Sequence, residues 1–443
     1  MKFRGLILAV VVLAALTGFL YWSNHHPVPD DSTKSSPDTP PKILSLNEAE
    51  IVRLEIKDRG QDAVVVTRDS SDKWQIIAPK VYGADQEAAR SLASATSSIN
   101  SDRLIEDKAA NLKQYGLDSP LVELTVAEKD NKTQHILIGD DTPTGSDVYA
   151  ALLGDSRVFM MASYVKNSLD KGLKDLRDKR LLTLDSDKIT TVELVAKKQD
   201  LVFGRSKDAW QFLKPTNLRT DGSKVDDLVR KLTDAKMDLS LTDADVKKSA
   251  SAFASGAPVA TVKMTGDAGS QELQVRKSKD DYYAKSSAVV GVFKLTADLG
   301  QSLTKGIDDY RNSKLFDFGF ADPNSIEIHD GAKSYSITKS GSDWWSNGTK
   351  MDSSTVDTLV EQLRGLSAAK FVDPGFASPA ISLTVTSNDG KLIEKIQIAK
   401  SGDNYIAKRE NESTLYQLTS DAIDQLRKSA DGVKPLPPAP AKK

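Results

Sequence analysis

The segments DKWQIIAP (Asp72–Pro79), DAWQFLKP (Asp208–Pro215) and SDWWSNG (Ser342–Gly348) decide the fold. Their tryptophans, Trp74, Trp210 and Trp344, recur 136 and 134 residues apart, and self-similarity at a fixed spacing is read before any fold is assigned. Other landmarks fall in the same order around them. Asp85, Asp221 and Asp352 each head a helical pattern. Ser119–Pro120, Ala257–Pro258 and Ser378–Pro379 each open a strand, followed by HILIG, ELQVRK or KIQIAK. A strand bearing Tyr149, Tyr283 or Tyr405 comes next, and then VFMM, VFKL or LYQL. RDKRLL from Arg177 and RNSKLF from Arg311 close the first two copies; the third has no such closer and runs into the tail.

Each copy has a physical reading. Val225, Leu228, Val229 and Leu232 fall at helical spacing, as do Val356, Leu359, Val360 and Leu363, so each helix presents one apolar stripe. The first copy's stripe, Ala89, Leu92, Ala93 and Thr96, is thinner. Asp at each helix start can accept from the free backbone N–H groups of the first turn. Leu121, Glu123 and Thr125 alternate with Val122, Leu124 and Val126, and Ile381, Leu383 and Val385 share one face, the period of a sheet with one buried side. Proline, lacking an N–H, suits the first residue of a strand. The fold class expected is α+β: three tandem repeats, each strand–strand–helix, then a three- or four-strand meander, then a short helix. Each would form a single antiparallel sheet with helices on one face. The boundaries expected are 43–180, 181–314 and 315–431.

The 443 residues are ample for several cores. A charge of −2 gives no electrostatic footprint for nucleic acid. The absence of cysteine excludes disulfides, thiolate metal sites and cysteine nucleophiles, and four histidines leave little for imidazole chemistry. At the N-terminus, residues 1–4 carry Lys2 and Arg4, and residues 5–22 (GLILAVVVLAALTGFLYW) are uncharged. Eighteen residues make about 27 Å of helix, just enough to span a bilayer core of about 30 Å. Tyr21 and Trp22 close the run at interfacial depth, and the preceding positive charges predict an N-in, single-pass anchor. A cleaved signal peptide is the competing reading, but its apolar region is shorter and ends in small residues. Either reading puts the rest of the chain outside the cytoplasm. Residues 23–42, rich in Pro, Ser and Asp, read as a linker in which His25 and His26 are solvated. Residues 432–443 read as a second Pro-rich segment, a frayed tail in preference to a polyproline II ligand or spacer.

The Trp–x–Ile/Phe–x–x–Pro segment, the Pro-started strand, the IGDDTPTGSDVYA hairpin from Ile138 and the RDKRLL segment together resemble the domain-of-unknown-function family 4340. The likeness is clearest over about Ile43 to Leu182 and weakest in the third copy, where Trp344 is not followed by the proline. The resemblance implies an anchored or secreted bacterial envelope protein, of a family often encoded beside ABC-type transport and gliding-associated components. It implies no catalytic residue set.

The nucleophile-elbow, zincin, phosphate-loop and dinucleotide motifs are missing from the sequence. GDDTPTGSD (Gly139–Asp147) could offer Asp140, Asp141 and Asp147 to calcium, but Gly, Pro and Asp between strands are what a hairpin loop needs. His135 and His329 read as strand-end surface residues rather than general bases. The repeated tryptophans could stack on glycan rings, or pack on the sheet as core; recurrence at equivalent places favours the core. Asn131, Asn347 and Asn411 head N-x-[ST] triplets read as coincidental. No catalytic, cofactor-binding or metal residue is therefore assigned, and no cofactor. The function expected is a non-catalytic protein of the inner membrane whose periplasmic repeats bind partners, among them an ABC-type transporter. The alternatives are an envelope glycan or lipid binder using the Trp-bearing faces, or a hydrolase with unrecognised carboxylates.

Overall fold

The computed structural model describes residues 41–437, except 197, 198, 208, 217 and 374. The expected anchor (5–22), nearly all of the linker and the last six residues lie outside the described residues. Among the described residues no helix is long and apolar enough to cross a membrane. The chain divides into two compact units, Met1–Asp178 and Lys179–Lys443.

The first unit is built on one large antiparallel sheet, beside a two-stranded pair of Lys42–Ser45 and Ser98–Asn100. Its order runs Tyr82–Gly83, Trp74–Ala78, Val64–Arg68, Ile51–Asp58, Val122–Glu128, Thr133–Asp141, Asp147–Leu152, Val158–Ala162 and Arg103–Glu106. Two meanders thus meet at Ile51–Asp58 and Val122–Glu128, and the helix Gln86–Ser97 lies in the connection between them. The second unit holds two sheets of the same order. One runs Ala209–Lys214, Gln199–Ser206, Ile189–Ala196, Ala257–Gly266, Gly269–Ser278, Asp281–Ser286 and Phe293–Leu295. The other runs from Thr349–Lys350 and Asp343–Ser346 through Lys333–Ser340, Ser325–Asp330, Ile381–Ser387, Leu392–Ser401 and Asn404–Arg409 to Leu415–Leu418 and Lys370–Val372. Among the described residues the first and third sheets have nine strands and the middle one seven, because the outermost strand is missing at each end.

The three tryptophans are core residues, 3 %, 4 % and 1 % exposed. Each shares a cluster with the apolar stripe of its copy's helix: Trp74 with Ala89, Leu92 and Ala93, Trp210 with Val225 and Leu228, Trp344 with Val356 and Leu359. The helices begin as the aspartates dictate. Asp85 accepts from the N–H groups of Glu87 and Ala88, Asp221 from Lys224 and Asp352 from Ser354. In register opposite each Trp stands a cation, Arg68, Arg205 or Lys339, whose charge lies 5.3, 4.9 and 5.3 Å from the indole centroid. Quadrupole attraction of this kind adds about 0.5–1 kcal/mol to the burial of each ring.

Three expectations are corrected. First, the helices do not all lie on one face. Tyr282 and Ala284 point into the main core of the middle sheet, whereas Tyr283 points the other way, against Phe253 of the helix Asp243–Ser255. That helix had no apolar stripe to announce it; a capping box of Thr242 and Asp245 starts it. Second, strands do not all start at the proline. Pro120 and Pro379 precede Val122–Glu128 and Ile381–Ser387, but Pro258 sits inside Ala257–Gly266, at a register shift beyond the end of its neighbour at Ala196.

Third, the described part of the C-terminal segment, residues 432–437, is no frayed tail. In the first copy Ala84 bridges Arg177, and the Asp85 N–H donates to the Leu176 carbonyl at 2.8 Å. In the second, Thr220 bridges Arg311, and Asp221 N–H donates to Tyr310 at 2.8 Å. In the third, Met351 bridges Pro435, Asp352 N–H donates to Lys434 at 2.8 Å, and Leu436 N–H donates to Lys350 at 2.9 Å. The backbone of Lys434–Leu436 does the work of the Arg-containing closers, and a main-chain ladder does not need their side chains. Ending the chain at Val433 removes two such bonds, each with a net worth of about 1 kcal/mol. Urea denaturation should show stability lowered by about 2 kcal/mol. An unchanged midpoint would mean that the segment contributes nothing.

Candidate functional site

The densest chemistry in the molecule lies in the second unit, where the RNSKLF segment leaves one sheet and enters the next. Arg311 and Asn312 pair back onto the middle sheet through Thr220 and the Arg219 carbonyl. Ser313 and Leu315 pair forward, with Ala368 N–H donating to Ser313 and Leu315 N–H to Leu366. Side chains from both sheets then converge. Arg219 donates to the Lys314 carbonyl at 2.7 Å and to the Tyr416 hydroxyl at 3.2 Å, and pairs with Asp317 at 2.5 Å. Arg409 donates to Glu412 at 2.7 Å and to Glu394 at 3.1 Å, and also reaches the Leu315 carbonyl. Tyr416 donates to Glu412 at 2.8 Å. Arg311 lies 3.6 Å over the Phe371 ring and donates to Thr414.

Glu394 is the buried member, and the Asp317 N–H donates to both of its oxygens at 2.8 and 3.0 Å. Burial raises its pKa above the ordinary 4.5, against the opposing pull of that N–H and of Arg409. Burial likewise pushes the Tyr416 hydroxyl up to about 12, so it stays a donor. The carboxylates of Asp317, Glu394 and Glu412 are each held by a guanidinium group. That arrangement fixes the middle and third sheets to each other. Beside it opens a cleft of about 530 Å³, floored by Phe316 and Phe318, with Lys224 and Arg364 on its walls and Phe320, 98 % exposed, at its mouth.

The RNSKLF segment from Arg311 was marked in the sequence only as a closer, and the converging Arg219, Asp317, Glu394, Arg409, Glu412 and Tyr416 were not singled out, although one carried a signal. Glu394 has the same strand parity as Ile396 and Ile398, so period two already turned it inward. Arg219, Arg409 and Asp317 had none, because their meeting depends on two sheets some hundred residues apart in sequence.

The residues that were singled out lie apart. GDDTPTGSD is a hairpin loop: Thr142 N–H donates to Asp147, and Gly145 takes φ 74°. Asp140 faces Arg59 at 3.7 Å, and Asp147 accepts from Ser146 at 2.7 Å. Among the described residues no group of three or more His, Asp or Glu gathers as a metal cradle. His135 lies within Thr133–Asp141 rather than before the strand, its Nδ1 3.0 Å from the Thr125 hydroxyl. His329 is exposed, its Nδ1 3.0 Å from the Ser334 hydroxyl. The Trp rings, being buried, offer no stacking platform to a glycan. Asn131, Asn347 and Asn411 all adopt positive φ, 62°, 48° and 66°, in hairpin turns, and the left-handed region is what Asn tolerates there. Turn geometry therefore accounts for the three triplets.

Fold and site together define a protein of successive antiparallel sheets, each closed over a Trp and a capped helix. The chain belongs to the family described as "Domain of unknown function (DUF4340)", whose model matches residues 74–211 and 210–384. Both matches begin at the buried Trp, so the family's period is counted from that residue. No curated protein matches the chain. Among solved structures, a DNA polymerase sliding clamp from Pseudomonas aeruginosa aligns over 85 % of this chain and 93 % of its own. The identity is 7 % and the TM-score 0.15, a likeness that carries no argument.

The direction of the Glu394 shift has a consequence for stability. A carboxyl whose folded pKa is raised contributes stability that is fully present below its unfolded pKa and is lost as pH rises through the folded value. Glu394→Gln keeps the volume and an acceptor for Asp317 N–H but does not titrate. In urea titrations the variant should gain on the wild type as pH goes from about 4 to about 8. A difference that is flat, or that moves the other way, would refute the assignment.

Proposed function

We propose that the chain is a single-pass protein of the bacterial inner membrane, N-terminus inside, that carries three tandem copies of this sheet unit in the periplasm. There it binds other proteins, as a non-catalytic accessory of an ABC-type transport system. The observation that carries the reading is the uncharged run Gly5–Trp22 behind Lys2 and Arg4, followed by the Pro- and Ser-rich linker. The resemblance to a family encoded beside transport components supplies the class of partner. The carboxylates at the sheet joint, each engaged by a guanidinium, support a role in holding shape rather than in acid–base work.

Topology and partnership are testable together. Alkaline phosphatase fused after Lys42 should be active, and green fluorescent protein at the same place dark. The intact protein, extracted in mild detergent, should bring down a transporter subunit. A cytoplasmic reporter pattern removes the anchor reading. Reproducible recovery of no envelope protein removes the scaffold reading.

A further inference from the structure

The three sheets differ at one edge. In the first, Val158–Ala162 is covered by Arg103–Glu106, with Leu104 opposite Phe159 and Arg103 opposite Met160. In the third, Leu415–Leu418 is covered by Lys370–Val372, with Phe371 opposite Tyr416 and Lys370 opposite Gln417. The matching strand of the middle sheet, Phe293–Leu295, ends the sheet, with no strand beyond it among the described residues. The chain that would have covered it turns instead at Asp238, which accepts from the Ser240 N–H, and enters the helix Asp243–Ser255. The consequence shows in the aromatic residue of this strand. Phe159 and Tyr416 are 0 % and 1 % exposed, whereas Phe293 is only half-buried.

The free edge has polarity as well as an opening. In the covered sheets the carbonyls of Met160 and Gln417 accept from Asp102 and Ala369 of the covering segment. Lys294 is their counterpart, so its C=O and N–H face outward. Beside this edge, the helix Asp243–Ser255 and the loop Ser287–Val292 enclose a groove of about 440 Å³. Val246 and Val290, 45 % and 99 % exposed, line it with Lys285. In the first sheet Ile105 of the covering strand packs on the corresponding face.

We propose that Phe293–Leu295 is a docking edge for an extended segment of a partner protein, added antiparallel as a further strand. This deepens the scaffold reading and rests on it. The covering strands of the sister sheets define what fits, a residue opposite the lysine followed by two apolar ones, as in Arg103-Leu104-Ile105. Here the first position faces Lys294, with Lys285 also exposed nearby. Lys294 is paired with Asp281 at 2.9 Å, and the exposed Lys285 leaves a second cation beside the edge, so an acid fits the first position of the partner where the sister strands carry Arg and Lys. The sequence recognised is Asp/Glu–apolar–apolar, its second residue over Phe293 and its third in the Val246–Val290 groove. Main-chain bonds supply affinity and the side-chain positions supply choice, as in strand addition generally.

The test uses the full-length protein and a fluorescein-labelled peptide, Thr-Asp-Leu-Ile-Glu-Thr, read by anisotropy. Binding should saturate, and replacing the peptide's Asp by Lys should weaken it several-fold. Lys294→Pro removes the outward N–H, which an edge strand tolerates. It should leave the thermal midpoint in place and weaken binding at least about tenfold. Amide exchange at Lys294 in the wild type gives a second readout that no variant can spoil, and the peptide should protect it. The proposal is overturned if the peptide shows no saturation at millimolar concentration. It is overturned equally if Lys294→Pro binds as the wild type does, or if sedimentation shows this edge engaged by a second copy of the chain. Transporter subunits that still co-purify with Lys294→Pro would leave the scaffold reading standing and refute only this edge.

Discussion

The structure depends on one repeated arrangement, a tryptophan near the end of a meander, sealed beneath a helix that an aspartate starts. An indole buries about 200 Å², which at about 25 cal/mol per Å² is an upper figure near 5 kcal/mol per copy. Burial on that scale explains why the rest is placed as it is. The helix must cross the sheet at the Trp, so its N-terminus falls just past the outer strands, where Asp85, Asp221 and Asp352 meet it. The residue before each cap then takes part in a single backbone bridge, at Ala84, Thr220 and Met351. The cation in register opposite the Trp lies over the ring, and its own charge is met by an aspartate, Asp72, Asp226 or Asp322.

How much of this was legible depends on where the information resides. Trp74, Trp210 and Trp344, the apolar stripes and the helix-starting aspartates are local and periodic, and they announced both repeat and core. The cross-strand cations were equally local, a few residues before each Trp, but a single basic residue in a hairpin has no pattern until the register is known. The closing ladder was hidden more deeply. It is made of backbone, so the third copy could set Pro435 where the others have Arg177 and Arg311, and Lys434 where they have Leu176 and Tyr310, and lose nothing that the ladder needs. The joint of Arg219, Asp317, Glu394 and Arg409 was illegible for the opposite reason. It is all side chain, and its members meet only once two sheets are folded.

That joint also separates stability from specificity. Glu394 and the two largely covered guanidinium groups cost desolvation that an apolar interface would not, and buried ion networks are often no more stable than their hydrophobic substitutes. What such a network supplies is geometry. Arg219 must reach the Lys314 carbonyl, the Tyr416 hydroxyl and Asp317 at once, and only a narrow range of placements of the two sheets satisfies all three. The hypothesis is that the network sets the angle between neighbouring sheets.

Copies that share a core can diverge only where the core does not reach, which is at their edges. An exposed strand edge invites pairing with other chains, and proteins ordinarily blunt it by covering it or charging it. The first and third sheets cover theirs with a strand of their own. The middle sheet removes that strand, keeps the aromatic it would have buried, and spends the freed residues on a helix that walls a groove beside the opening. The lysine left at the edge blunts indiscriminate pairing while remaining compatible with an acidic strand. On the docking proposal two copies complete themselves and the middle one is completed by a partner strand, and that asymmetry sets one module apart from its sisters.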